Sequence, residues 1–176
     1  FETKMHDVLV VYKQVEMQFD ENGDIIVSTD SPMIHTISCD EKPGIQAIAT
    51  TSDDLRPTEG NGCVYRDYEY KRLGTLSLIA GIDLLTGIAI PVVSETHKSS
   101  DFICLLKKLD EMYLEGDVIR IICDNHSSHK AKEVQNYLAT KPEGRYVFVF
   151  IPKHASWLNL IECFFSKMAK QMLKGI

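Results

Sequence analysis

Two apolar runs in this chain each end on an aspartate, and a third is interrupted by a glutamate. Ile34–Cys39 stops at Asp40, Val118–Cys123 stops at Asp124, and Glu162 lies inside the stretch Trp157–Phe165. A carboxylate beside buried segments is costly unless something positive accompanies it. Three that converge repel one another and raise each other's pKa. A bound divalent cation removes both costs. The pattern demands a fold that brings two strand ends and one helix edge together, an arrangement suited to metal-dependent phosphoryl transfer on nucleic acid.

Periodicity supplies such a fold. Met5, Val8, Leu9, Tyr12, Val15 and Phe19 recur at helical spacing, which predicts a helix over 2–19. Residues 20–24 form a turn, and Ile25–Val27 is a short strand or linker. Ile34–Cys39 is a strand. Residues 51–72, polar and carrying Pro57, Gly60 and Gly62, read as a long surface loop. Gly74–Asp83 alternates, Leu84–Gly87 turns, and Ile88–Val93 returns as the second arm of a hairpin. Helix and strand then alternate: a helix over Asp101–Leu114 with Ser100 as its N-cap, a strand at Val118–Cys123, and a helix over His129–Thr140. A strand at Tyr146–Ile151 and a last helix from Ser156 to about Leu173 complete the chain. The order predicts an α/β, ribonuclease-H-like fold. Its five-stranded mixed sheet has three antiparallel strands followed by βαβ crossovers, with helices on both faces. The first and fourth strands are neighbours in such a sheet, so Asp40 and Asp124 end side by side. On the last helix the stripe Leu158, Ile161, Phe165, Met168 and Met172 faces the sheet. Glu162 sits at its edge, with Asn159 and Ser166 one turn to either side.

The chain's 176 residues make one ordinary domain with a sizeable core, and no apolar stretch is long enough to span a membrane. Phe1 is not an initiator Met and no signal-like segment follows it, so the chain is expected to be a fragment of a longer protein. The five cysteines form no C-x-x-C pair and are odd in number, against a disulfide framework. Cys39, Cys104, Cys123 and Cys163 stand in apolar contexts, which predicts buried free thiols in a reducing compartment. A net charge of −6 argues against a nucleic-acid partner until its distribution is read. Residues 125–176 carry 8 Lys/Arg against 3 Glu, whereas the first 124 carry 11 basic and 22 acidic side chains. The basic third follows Asp124 and surrounds Glu162. It is either a set of solvated helical lysines or a phosphate-facing surface.

Carboxylates are hard oxygen ligands that suit two Mg²⁺ or Mn²⁺ ions. Around them, Asn125 has the chemistry to hydrogen-bond a ligand. His126 and His129 are three apart. Zinc binding, helix capping, and contact with the site or with DNA all remain open for them. Lys153 precedes the last helix, and Trp157 is either core or a platform for a displaced base. Lys42, Arg66, Lys71 and Arg72 are phosphate contacts or merely loop charges. No G-x-G-x-x-G, Walker lysine loop or nucleophile elbow is present.

Five ordered segments carry a resemblance: 40–47, 69–75, 78–87, Asp124–His129, and 152–167 with its core Trp-Leu-Asn-Leu-Ile-Glu. Over residues 30–174 the chain resembles a bacterial insertion-sequence transposase of the mariner-related superfamily, with a DDE catalytic domain. The resemblance implies catalytic, metal-holding roles for Asp40, Asp124 and Glu162, the last two separated by 37 residues. Cys163 stands where the family often has Gly, a departure that touches local packing. Also implied are cut-and-paste cleavage and strand transfer at TA, and double-stranded DNA partners, namely terminal inverted repeats and target. A homodimer in the synaptic complex and action on DNA in the bacterial cytoplasm and nucleoid complete the expectation. Residues 1–30 would be a linker helix and turn, 31–176 the catalytic domain, and the helix-turn-helix DNA-binding region would lie outside the chain. A nuclease that only hydrolyses, or a non-catalytic DNA-binding module derived from a transposase, are the alternatives.

Overall fold

A helix, α1 (Glu2–Glu16), leads into three strands, β1 (Ile34–Thr50), β2 (Tyr70–Asp83) and β3 (Ala89–Ser94), which pair antiparallel in sequence order. The computed structural model describes residues 1–26, 32–125 and 127–173. After the meander come α2 (Ser99–Met112), β4 (Val118–Cys123), α3 (Lys132–Leu138), β5 (Tyr146–Phe150) and α4 (Ile161–Gln171). Strand β4 docks parallel to β1, and β5 parallel to β4, giving the order β3-β2-β1-β4-β5. The expected five-stranded mixed sheet is borne out, as are helices on both faces.

Alternation decides which helix covers which face. Ile37 and Cys39 of β1, Ile79 of β2, and Ile119, Ile121 and Cys123 of β4 point one way, into a core with Phe102, Leu105, Leu106 and Leu109 of α2 and Val134 of α3. Each of those four α2 side chains is fully buried, a burial that stabilises by ~1.5–3 kcal/mol apiece. Gly81 is required here, because a Cβ on it would stand 2.6 Å from Ile37 Cγ2. On the opposite face, Ile122 packs with Val8 and Val11 of α1, while Leu78 and Ala80 pack with Ile161 and Phe165 of α4.

The structure corrects several boundaries. Strand β1 does not stop at Asp40 but continues to Thr50, paired only with β2. The segment Asp40-Glu-Lys-Pro-Gly44 lies outside the strand predicted from sequence. It is instead a bulged strand, with a register shift between Lys42 and Ile45 and Gly44 at φ 71°. Pro43 is tolerated because the parallel pairing with β4 has already ended at Ser38↔Ile122. The "long loop" is thereby reduced to 51–69, the tip of a two-stranded arm that carries exposed Leu55, Val64, Tyr65 and Tyr68.

Helix α2 begins at Ser99, with Asp101 closing a capping box by accepting the Lys98 N–H at 2.8 Å, so Ser100 is not the cap. Ser127–Lys130 is a 3₁₀ turn rather than the start of α3. The last helix is broken: Ser156–Leu158 is a 3₁₀ turn, and α4 begins only at Ile161. Met172 therefore lies outside the packed stripe and is exposed, as is Leu9 of α1, whose buried positions are Val8, Val11 and Val15. All five cysteines are free, but only Cys39 and Cys123 are buried. Cys104 falls between the buried positions of α2, and Cys163 faces outward on α4. Trp157 is 66% exposed, not core. Among the described residues, no helix is long and apolar enough to cross a membrane.

Candidate active site

The parallel register sets the site. Ile34↔Val118 through Ser38↔Ile122 are paired, and two residues beyond the last pair stand Asp40 and Asp124. Matched offset on neighbouring strands puts both carboxylates where β4 ends. Asp40 shares its phase along β1 with Ser38 and so turns toward the α4 face.

Asn159, a candidate from the sequence, forms a clasp with Ser38, which sequence reading missed. The Ser38 hydroxyl donates to Asn159 Oδ1 and accepts the Ile161 backbone N–H at 3.0 Å. The Asn159 amide donates to the Cys39 carbonyl at 2.8 Å and to Asp40 Oδ2 at 3.1 Å. Asn159 is buried, outside the helix, in the break before α4. Four bonds thus tie the strand bearing Asp40 to the entry of the helix bearing Glu162, three through Asn159 and one through the Ile161 N–H. A signal for Ser38 existed: a hydroxyl in the buried phase of an apolar strand needs a partner.

Burial pushes the Asp40 carboxyl up to about 6, and the charges of Asp124 and Glu162 add to it. The Glu41 backbone N–H, 2.8 Å from Oδ1, and the Asn159 amide work against that rise. His129, nearly fully buried, places Nε2 3.2 Å from Asp124 Oδ1 and tilts its ring against Phe102 at 4.4 Å. Glu162 is exposed in the first turn of α4.

The donor chemistry fits a hard divalent cation: three carboxylates, one of which is driven toward its neutral form chiefly by burial, with the charges of the others adding to it. Asn125 Oδ1, beside Asp124, is buried and has no hydrogen-bond partner among the described residues. Such an acceptor suits the hydration shell of an ion. Among the described residues, however, no three His, Cys, Asp or Glu groups stand close enough to hold an ion as they are.

The other candidates divide. Lys153 is exposed and lines a groove with Asp124, Asn125, His154 and Ser156, where His154 holds a φ of 62°. Trp157 lines a second groove with Glu162, Cys163, Lys167 and Lys170. Lys42 is half-buried two residues beyond Asp40. Lys71 and Arg72 pair with Ala49 and Ile48, roughly 30 Å along the arm from Asp40 at strand rise. Arg66 is held by Asp54 at 2.9 Å. These three are not brought to the carboxylates. His126 lies outside the described residues. Arg145, counted with the basic third, is buried and bound elsewhere.

A five-stranded mixed sheet in this order, with helices on both faces, defines a ribonuclease-H-like domain. Residues 37–176 match the family described as DDE superfamily endonuclease, and the chain belongs to it. It is 34% identical over 77 residues to the Insertion element IS630 uncharacterized 39 kDa protein of Shigella sonnei, a match covering 44% of this chain and 22% of that protein. Its fold is similar to that of a chain in the crystal structure of the Mos1 strand transfer complex, with a TM-score of 0.54 and 13% identity. That similarity covers 95% of this chain and 46% of that one. A chain of the simian T-cell lymphotropic virus intasome is similar at a TM-score of 0.48 and 12% identity, over 82% of this chain and 40% of that one. The resemblance to insertion-sequence transposases read from the motifs is borne out. The chain spans less than half the length of these solved structures' chains.

Proposed function

We propose that this chain carries the catalytic domain of a cut-and-paste DNA transposase, in which Asp40, Asp124 and Glu162 hold two Mg²⁺ or Mn²⁺ ions. The supporting observation is the matched register of Asp40 and Asp124, with the Ser38–Asn159 clasp bringing the Glu162 helix over them. When bound, the ions would supply an activated attacking oxygen and charge neutralisation at the leaving oxygen. The chain's own residues set the geometry: Asn159 and the Glu41 N–H fix Asp40, His129 fixes Asp124, and Glu162 would supply the third carboxylate from the first turn of α4. Substrates would be the element's terminal inverted repeats and then a TA target, handled by a homodimer acting on DNA in the bacterial cytoplasm. Residues 1–30 would lead into a catalytic domain over 31–176, with end recognition made elsewhere in the protein.

Calorimetric Mn²⁺ titration of wild type and of Asp40→Asn tests the site. Binding by the first and loss in the second is expected. No binding by wild type would favour a non-catalytic DNA-binding module, a reading supported by the carboxylates not closing on an ion as they stand. A strand-transfer assay on the full-length protein separates transposition from hydrolysis alone.

The raised pKa of Asp40 makes metal linkage depend on pH. Below its ordinary value of 3.8, Asp40 is protonated folded or unfolded and carries no penalty. As pH rises through about 6 the folded state must hold an uncompensated charge, so this group's stabilising contribution is lost. Mn²⁺ is therefore expected to raise the melting temperature more at about pH 7.5 than at about pH 5. An equal shift at both would count against Asp40 as a ligand.

Asn159→Ala leaves the Ser38 hydroxyl and the Cys39 carbonyl short of a partner, which is expected to destabilise by ~1–3 kcal/mol. Loss of the bond that orients Asp40 is expected to weaken Mn²⁺ binding about 10–100-fold. Urea melts and calorimetry check the two effects separately.

A further inference from the structure

Trp157 is the chain's single tryptophan. The Ser156–Leu158 turn that carries it is held from beneath: Ala155 and Leu158 are buried, and the Leu158 carbonyl accepts the Tyr12 hydroxyl. The indole itself is 66% exposed. The turn is thus fastened on its inner side while its aromatic ring is left open to a flat partner such as a base. Two grooves meet at this turn. Ser156 lines the one that contains Asp124 and Lys153, and Trp157 lines the one that contains Glu162, Ser166, Lys167 and Lys170.

We propose that this turn and the outer face of α4 form a seat for an unpaired nucleic-acid strand beside the carboxylates. One base stacks on the Trp157 ring, while Lys167 and Lys170 face the following phosphates. Charge chooses the occupant. The carboxylate end of the groove belongs to ions that would hold the scissile phosphate, and the far end is lysine. An aromatic face accepts any base whose own face is open, and a base inside a duplex has none open. The seat rests on the proposed function only in naming which strand lies there, namely the one being cut or joined. It adds a reason for that strand to be unpaired next to the reacting phosphate.

Because one tryptophan gives all the indole emission, its fluorescence reports this seat alone. The 176-residue chain in EDTA is titrated with short poly-thymidine, the same strand with abasic sites, and a blunt duplex. Poly-thymidine is expected to quench the emission, the abasic strand to bind with little quenching, and the duplex to do neither well. Trp157→Ala should weaken poly-thymidine binding by about tenfold, read by anisotropy of a labelled strand, with Trp157→Phe restoring most of it. The double change Lys167→Ala, Lys170→Ala should weaken the normal and abasic strands alike. Unchanged emission at saturating strand, equal quenching by the abasic strand or the duplex, or wild-type affinity in Trp157→Ala would each overturn the seat. None of these readouts requires cleavage. Failure here with metal-dependent cleavage intact removes the seat and leaves the proposed function standing, while quenching without any cleavage does the reverse.

Discussion

Glu162→Gln, made in the full-length protein, is expected to lose DNA strand cleavage and transfer by about 10³-fold or more. The substitution keeps the shape of the side chain and one oxygen while removing its charge. Charge stabilisation by bound metal is worth several kcal/mol in the transition state. About 4 kcal/mol is a factor of about 10³ in rate. Asp124→Asn should behave in the same way, since it takes one of two charges at matched register. Neither change touches the core: Glu162 is exposed, and the Asp124 side chain is 44% exposed. Melting is therefore expected to stay within ~1 kcal/mol of wild type. Cleavage of labelled element ends in Mg²⁺, with circular dichroism as the folding control, gives the answer. Wild-type cleavage by either variant would remove that residue from the site.

The second large effect lies far from the chemistry. Arg145→Met is expected to cost ~3–5 kcal/mol, because it removes one of the two cations that meet Asp110 and the shared donor to three part-buried carbonyls. The Arg145 guanidinium, almost fully buried, donates to Asp110 at 3.1 Å and to the carbonyls of Asp117 at 2.8 Å and Tyr113 at 3.0 Å. The Leu114 carbonyl is a fourth acceptor. Those carbonyls follow the end of α2, where helical bonding has stopped and acceptors are left over. Arg145 thus ties that end to the start of β5. A fall in melting temperature of roughly 6–20 °C corresponds to that cost in a domain of this size. Lys141→Met is the comparison. Lys141 meets the same Asp110 from a more exposed position, and its loss should cost no more than ~1 kcal/mol. Equal effects from the two would mean that the carbonyl contacts of Arg145 contribute nothing.

Arg145 also shows where sequence reading runs out. In the chain it is one more basic residue in a basic third, and nothing local marks it as buried. Short apolar runs with clear ends, such as Val118–Cys123, were legible, and so was the alternation that fixes strand order. The path of β1 beyond Asp40 was not. Charged residues followed by Pro43 and Gly44 argue against a strand, and only the end of β4 explains why a strand with no neighbour on that side accepts a proline. The break before α4 was hidden for the opposite reason: Leu158, Ile161 and Phe165 keep helical spacing across it, and all three are buried as if the helix were continuous. The three carboxylates were marked in the sequence by their apolar neighbours, but only Asp40 carries the burial cost this implied, while Glu162 is exposed. Their supports were not so marked, because the value of Ser38 depends on Asn159, 121 residues away.

That separation gives the clasp a kinetic meaning. Contacts between residues so distant in sequence form late, since a long loop must close before they contribute. The two aspartates can be in place as soon as β4 inserts beside β1, but the glutamate arrives only with Asn159, near the close of the folding sequence. On the proposed function this acts as an interlock. Half-folded copies emerging from the ribosome, or copies with α4 peeled away, would hold the two aspartates without the glutamate, so the proposed site would be assembled only as the domain finishes its own fold.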